Sequence, residues 1–240
     1  MPNAEGHEQF VPSTVSPFST RQRFVKRAFD LAIAVPLMIL LSPLFFVLSL
    51  AVGISSRGPI IYKAHRIGLF GEPFTMYKFR SMVETHASRT HKIVGHKDHR
   101  VTTVGRFIRR TKLDELPQFL NVINGTMSIV GPRPQNADFI ARYSDEERAV
   151  LQIRPGITGP GTVVNYEKML TGSTPEENER IYFDTLLPER LQCELEYLQN
   201  WSLKIDIQII ARTISSMLSR SEARRTTPLY RSTKVDRKNS

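Results

Sequence analysis

Asp114 and Glu115 stand side by side with Arg109, Arg110 and Lys112 just before them. A carboxylate in cationic surroundings can act as a nucleophile, help to hold a divalent cation, or simply cap a helix. Thr111-Lys112-Leu113-Asp114 fits a capping box, so the cap is a direct rival for Asp114. Pro117 decides where the helix begins. In a helix starting after Thr111 it would lie in the interior and cost about 3 kcal/mol. In one starting near Asp114 it falls in the first turn, where its missing N–H is not needed. The spacing therefore predicts a helix from Asp114 to Asn124, stopped by Gly125, with the aspartate at its N-terminus. Unpaired amides and the helix dipole attract anions there. The Asp114 carboxyl is thus expected to keep a low pKa and stay ionised, as a nucleophile must.

Further cations occupy stiff turns. Arg133 lies between two prolines in Gly131-Pro132-Arg133-Pro134, and Arg154 opens Arg154-Pro155-Gly156. Proline lowers the entropy lost in fixing a long side chain, and the planar guanidinium fork suits phosphate oxygens. Lys78 and Arg80, in Lys78-Phe79-Arg80-Ser81-Met82, add to the supply. Each alone reads more readily as a surface ion-pair partner; together they make up a phosphate site. No P-loop, GxGxxG or Asp-x-Asp pattern occurs. His86, His91, His96 and His99 lack the helical spacing of metal ligands and are expected to be exposed loop residues. If a metal takes part, Mg²⁺ between Glu115 and substrate phosphates is the natural choice, because it binds through few carboxylates plus phosphate oxygens.

These residues must be positioned by a chain of 240 residues with a formal charge of +10, which favours polyanionic partners such as nucleic acid, anionic lipid or phosphorylated small molecules. A single cysteine, Cys193, excludes an internal disulfide. Residues 1–20 are polar and Ser/Pro-rich, and are expected to be disordered. Leu31 to Ile54 carries no charge and is long enough for a membrane helix. Ser42-Pro43 interrupts it, and both flanks are basic: Arg21, Arg23, Lys26 and Arg27 before, Arg57, Lys63 and Arg66 after. A bend at the proline and the same charge sign at both ends suit a helix that enters the bilayer and returns to the same face. A straight span and a buried core helix are the alternatives. Beyond it, short strands are expected at Ile60–Tyr62, Phe74–Phe79 and Met127–Val130, and a short basic helix at Val104–Arg110. Arg154 to Gly161 reads as a loop, Glu176–Asn200 as a helix broken at Pro188, and Trp201–Leu218 as an amphipathic helix. The fold class is α/β: a re-entrant membrane hairpin at 21–57, a mostly helical catalytic domain with short strands at 58–219, and a basic disordered tail at 220–240.

The ordered set of segments resembles a known family. Lys26-Arg27-Ala28-Phe29-Asp30, the Ser42-Pro43 break, Gly58-Pro59, Lys78-Phe79-Arg80-Ser81-Met82, Leu113-Asp114-Glu115-Leu116-Pro117-Gln118, Asn121-Val122, Met127-Ser128, Val130 to Pro134 and Arg154 to Gly159 occur in one order over residues 22–218. They are similar to the small monotopic phosphoglycosyl transferases among the bacterial sugar transferases. The resemblance implies an Asp114 nucleophile and a Glu115 partner linked to Mg²⁺. Lys78, Arg109 and Arg133 fall where that family places active-site cations. It also implies a UDP-sugar donor, a polyprenyl (undecaprenyl) phosphate acceptor, and a lipid bilayer bearing the enzyme on the cytoplasmic face of the bacterial inner membrane. The expected product starts an exopolysaccharide, O-antigen, capsule or glycoprotein glycan, and a homodimer is compatible with it. Larger relatives carry a further multi-span N-terminal region, and this chain is expected to match the minimal catalytic unit. Thr126, His99 and Glu194 stand where the family usually has Asp, Pro and Asp, and Pro160-Gly161-Thr162 also departs from the pattern. None touches the dyad. A membrane-anchored scaffold without turnover and a basic nucleic-acid binder are the competing classes. The intact dyad opposes the first, and the absence of aromatic residues among the basic ones opposes the second, so no nucleic acid is expected as a partner.

Overall fold

The computed structural model describes residues 16–83, 100–161 and 174–218. The expectations for residues 1–15, the histidine loop and the tail beyond Leu218 lie outside those residues; of the segment expected to be disordered up to residue 20, Phe18 is buried and Thr20 opens the first helix. Two helices open the chain: α1, Thr20–Leu40, and α2, Ser42–Ser55, bent by 63° at Leu41. Ser19 starts α1 with a reciprocal capping box to Gln22. Pro43 lies in the first turn of α2 and sets the bend where the sequence places it. Neither helix alone is long and apolar enough to cross a membrane. The bent pair nevertheless exposes Ile39 and Leu40 beside the bend, and Phe46, Val47, Leu50 and Ile54 along α2.

Both arms are fastened to the same globular body. From α1, Lys26 Nζ pairs with Asp206 at 2.8 Å, Asp30 accepts from Ser128 Oγ and the Ile129 amide, and Arg27 donates to the carbonyls of Val122 and Ile123. At the end of α2, the buried Arg80 guanidinium donates to the carbonyls of Val52, Ser56 and Pro59.

Strands β1 (Ile61–Ile67) and β2 (Pro73–Phe79) form an antiparallel hairpin in the register Tyr62 to Lys78 and Ala64 to Met76. The short basic helix α3, Thr103–Arg110, follows. Leu113–Glu115 is a single 3₁₀ turn, and α4 runs from Gln118 to Asn124 before Gly125 ends it at φ 87°. The continuous helix expected from Asp114 is thus two pieces. Pro117 has no N–H for the ladder, so the 3₁₀ turn closes before it and α4 starts after it.

Strand β3, Ser128–Val130, pairs in parallel with β4, Gly156–Thr158. The segment expected as a loop at Arg154–Gly161 therefore contains a strand. Its glycines allow it: a Cβ on Gly156 would lie 2.1 Å from Gly131 N. Between the strands lie α5, Ala137–Ile140, and a 3₁₀ turn over Glu147–Gln152. Next come α6, Pro175–Ile181, and α7, Leu187–Gln199, joined through a π turn at Tyr182–Leu186 rather than broken at Pro188. Pro188 cannot bond back to the preceding turn, and the widened π turn absorbs the missing donor. The amphipathic α8, Leu203–Leu218, closes the fold. The main core joins α1, α4, β3, α7 and α8 through Ala34, Val122, Ile129, Tyr197 and Ile209; a second packs α2 on β2 and α3 through Val52, Phe79 and Ile108.

Candidate active site

Three elements meet at the dyad. Lys112 adopts a left-handed conformation, φ 58°, which few non-glycine residues do outside functional or tight turns. That residue ends the α3 run and turns the chain so that Leu113–Glu115 folds back beneath β2. Asp114 is then buried, with 8% of its surface exposed, and its Oδ1 has no hydrogen-bond partner. Glu115 Oε1 pairs with Lys78 Nζ of β2 at 2.9 Å. Asn121 of α4 fixes the two elements together: its Oδ1 accepts from the Tyr77 amide and its Nδ2 donates to the Thr75 carbonyl.

The two neighbouring carboxyls titrate far apart. Burial, reinforced by the Glu115 charge, pushes the Asp114 carboxyl up to about 6, against the pull of Lys78, Lys112 and Arg109. Glu115 is held at about 2: burial works to raise it, but Lys78, Arg133 and Lys112 together outweigh that effect. The expectation of a depressed Asp114 is thus corrected. No helix amide serves it, because α4 begins beyond Pro117, and the nearest Lys78 contact goes to its neighbour. The low value belongs to Glu115.

Of the cations singled out in the sequence, Lys78, Arg109 and Arg133 gather at the dyad. Arg109 Nη1 lies 3.3 Å from Met82 Sδ, which steadies a half-buried guanidinium without neutralising it. Arg133 is placed through its backbone: its amide donates to the buried Glu194 Oε1 at 3.0 Å, and Glu194 in turn faces Arg190 at 3.5 Å. Burial raises the Glu194 carboxyl while Arg190 opposes the rise. The family-pattern position of Glu194 was the one sequence signal for this support; nothing in its spacing announced it.

Arg80 and Arg154 do not join the cluster. Arg80 is consumed by the carbonyls that end α2. Arg154 Nε donates to the Gly125 carbonyl at the far end of α4. Lys112, whose charge acts on both carboxyls, belongs with the site although the sequence shows it only as a basic neighbour.

A buried acceptor without a donor beside a salt-bridged carboxylate, ringed by cations, can receive an electrophile that brings its own negative charge. A phosphoryl group is such an electrophile. Comparison with known proteins points the same way. The family model described as bacterial sugar transferase matches residues 21–220. Over 209 residues, 85% of the chain, it is 38% identical to a protein of Escherichia coli (strain K12) named UDP-glucose:undecaprenyl-phosphate glucose-1-phosphate transferase, covering 42% of that protein. An undecaprenyl-phosphate galactose phosphotransferase of Salmonella typhimurium is 36% identical over 84% of the chain and 42% of its own length. A Caulobacter vibrioides protein named UDP-glucose:undecaprenyl-phosphate glucose-1-phosphate transferase is 36% identical over 82% of the chain and 71% of its own length. The chain thus spans less than half of the first two of these relatives.

Proposed function

The chain belongs to the bacterial sugar transferase family, and from that premise we propose that it transfers a sugar 1-phosphate from a UDP-sugar to undecaprenyl phosphate. The observation that carries the reading is Asp114 Oδ1, a buried carboxylate oxygen without a donor. A structural cap would spend that oxygen on an amide; a nucleophile keeps it free. In the first step Oδ1 attacks the β-phosphorus of the UDP-sugar. The bond from that phosphorus to the bridging oxygen breaks, UMP leaves with the electron pair, and the sugar phosphate stays on the aspartate. In the second step an oxygen of undecaprenyl phosphate attacks the same phosphorus. The Asp114 carboxylate departs, regenerated, and undecaprenyl diphosphate sugar is released. Splitting the transfer lets a soluble donor and a lipid acceptor react in turn.

The residues fit a Mg²⁺ ion. Lys78 engages Glu115 Oε1 and leaves Oε2 as a hard oxygen for the ion, while Asp114 Oδ1 stays free for attack. Mg²⁺ takes one or two carboxylates and completes its shell with water and phosphate oxygens. Glu115 would hold it, and the ion would neutralise charge on the donor diphosphate. Lys78 keeps Glu115 ionised and in place, and Arg109, Arg133 and Lys112 bind the donor's phosphate oxygens.

In this reading the reaction lies at the cytoplasmic face of the inner membrane, where a soluble nucleotide sugar and a lipid-borne acceptor can both reach the dyad. The α1–α2 hairpin is re-entrant in this reading, supported by its bend, its apolar tip and the clamping of both arms to one body. The test of the chemistry is release of UMP by the purified full chain given UDP-sugars, Mg²⁺ and undecaprenyl phosphate. With a labelled UDP-sugar and no acceptor, label should become covalently attached to the protein, and Asp114→Asn should abolish both signals. Undiminished UMP release by that variant would sink the mechanism. For the hairpin, Thr20→Cys and Arg57→Cys in a Cys193→Ser background should both react with reagent applied from the cytoplasmic side. Labelling from opposite sides would mean a true span.

A further inference from the structure

A second cationic cavity lies apart from the dyad, between the start of α1, the β1–β2 turn and the chain entering β4. Its volume is about 90 Å³, and Phe18, Arg23, Arg27, Asp30, Phe70 and Arg154 are among its walls. The dyad precedes α4, whereas Arg27 and Arg154 hold the carbonyls of Val122, Ile123 and Gly125 where α4 ends. Seven helical residues, about 10 Å, separate the two ends.

The charges in this cavity do not balance. Asp30 Oδ1 is shared between Ser128 Oγ and the Ile129 amide, and the neighbouring Lys26 is committed to Asp206. Among the described residues the Arg23 side chain has only Thr20 Oγ1 as a hydrogen-bond partner, and the two Nη groups of Arg154 have no acceptor. Burial depresses the Arg154 pKa, with Arg27 and Arg23 adding to the fall and the one nearby carboxylate, Asp30, opposing it. Capping of α4 accounts for Arg27 and for Arg154 Nε. It leaves unexplained the exposed Arg23 and the unspent fork of Arg154. Two of the three guanidiniums are already fixed by backbone carbonyls, so little side-chain entropy is left to lose when an anion binds.

We propose that Arg23, Arg27 and Arg154 form an anion site for a phosphate group, borne by a small soluble ester or by a lipid headgroup, with Phe18 and Phe70 as the apolar wall. Guanidinium forks match phosphate oxygens, and an anion here relieves the crowding of like charges. The site stands independently of the proposed reaction, since none of the cations acting on Asp114 or Glu115 lines it.

The chain's one tryptophan provides the readout: Trp201 packs on Phe18 with ring centroids 4.9 Å apart. The full chain in phosphatidylcholine nanodiscs is titrated with inorganic pyrophosphate, and a saturable change in Trp201 fluorescence is expected. Arg23→Ala, an exposed position that leaves folding intact, should weaken the apparent affinity about tenfold, the scale of one charge-assisted contact. Arg154→Ala should weaken it at least as much, and Lys78→Ala, at the dyad, should leave it unchanged. A change seen only when phosphatidic acid replaces part of the phosphatidylcholine, and lost in Arg23→Ala, assigns the site to a headgroup. No saturable response in either membrane overturns the proposal. So does a response that survives Arg23→Ala and vanishes in Lys78→Ala.

Discussion

Asp114 and Glu115 are chemical near-twins next to each other in the chain, and their surroundings shift their carboxyls in opposite directions. Glu115, at about 2, is ionised at every working pH. Asp114, at about 6, is the group whose charge changes near neutrality. An attacking carboxylate must be ionised, so kcat/KM for UMP release should fall tenfold per pH unit below about 6, which a pH–rate profile measures directly. Stability carries the same signature with its own sign. Folding raises this carboxyl above its ordinary value of 3.8, so the native state binds the proton more tightly than the unfolded chain does. Its contribution is fully present below pH 4 and is lost as pH climbs through 6. Asp114→Asn removes the buried charge and should stabilise the protein above pH 6 by on the order of 2 kcal/mol while abolishing turnover. Thermal unfolding of both forms at pH 4 and pH 7.5 checks this: the gain should appear only at the higher pH. The sequence singles out the two carboxylates and the cations next to them in the chain. It does not show which is raised, because Lys78 and Arg133, which decide it, are remote in sequence from the dyad.

At the scale of elements, the segments with strong periodicity or clear punctuation are where the sequence puts them. The bend at Ser42-Pro43, β2, α3, β3 and α8 all follow from proline position, turn residues or apolar spacing. Strand β1, expected at Ile60–Tyr62, instead runs on to Ile67 because β2 pairs along its whole length. What the sequence misreads are places where tertiary pairing overrides local signals. Gly156–Thr158 has the composition of a turn, and becomes a strand because β3 lies alongside it. Two glycines make the approach possible, and this leads to a prediction about how the Arg133 turn is anchored. On Gly156→Ala the new Cβ would meet the Gly131 amide nitrogen at 2.1 Å, a backbone atom that cannot swing aside. The strands must part, at a cost of about 3 kcal/mol, the upper range for overpacking. Because Gly131-Pro132 leads directly into Arg133, donor affinity should fall with it. Thermal unfolding and the KM for the UDP-sugar, measured on the folded fraction, should therefore change together.

The whole molecule is organised by how α1 and α2 are tied to the domain behind them. Lys26 of α1 reaches Asp206 of α8, a contact between residues far apart in the chain. Around the same carboxylate, Tyr197 OH donates to Oδ1 at 2.7 Å and Trp201 Nε1 to Oδ2 at 3.2 Å. Lys26 also lies 5.8 Å from the Trp201 ring centroid. The Asp206 side chain is fully buried and that of Lys26 nearly so, which makes the pair costly to desolvate but far more costly to break. Lys26→Met leaves a buried carboxylate with only two neutral donors, and should destabilise by about 3–5 kcal/mol. Lys26→Met combined with Asp206→Asn removes both charges while keeping polar atoms for Tyr197 and Trp201. It should recover most of that loss, so the double-mutant cycle should return a coupling of about 2–3 kcal/mol. Near-additive losses would mean that the two side chains act separately, and that α1 is held by Arg27, Asp30 and its apolar packing instead. Trp201 fluorescence follows the same experiment locally. Lys26→Met should shift its emission, because the cation leaves the ring, and the shift should persist in the double variant even where stability returns. The pair thus sets how firmly α1 is anchored to α8, at a place apart from Asp114.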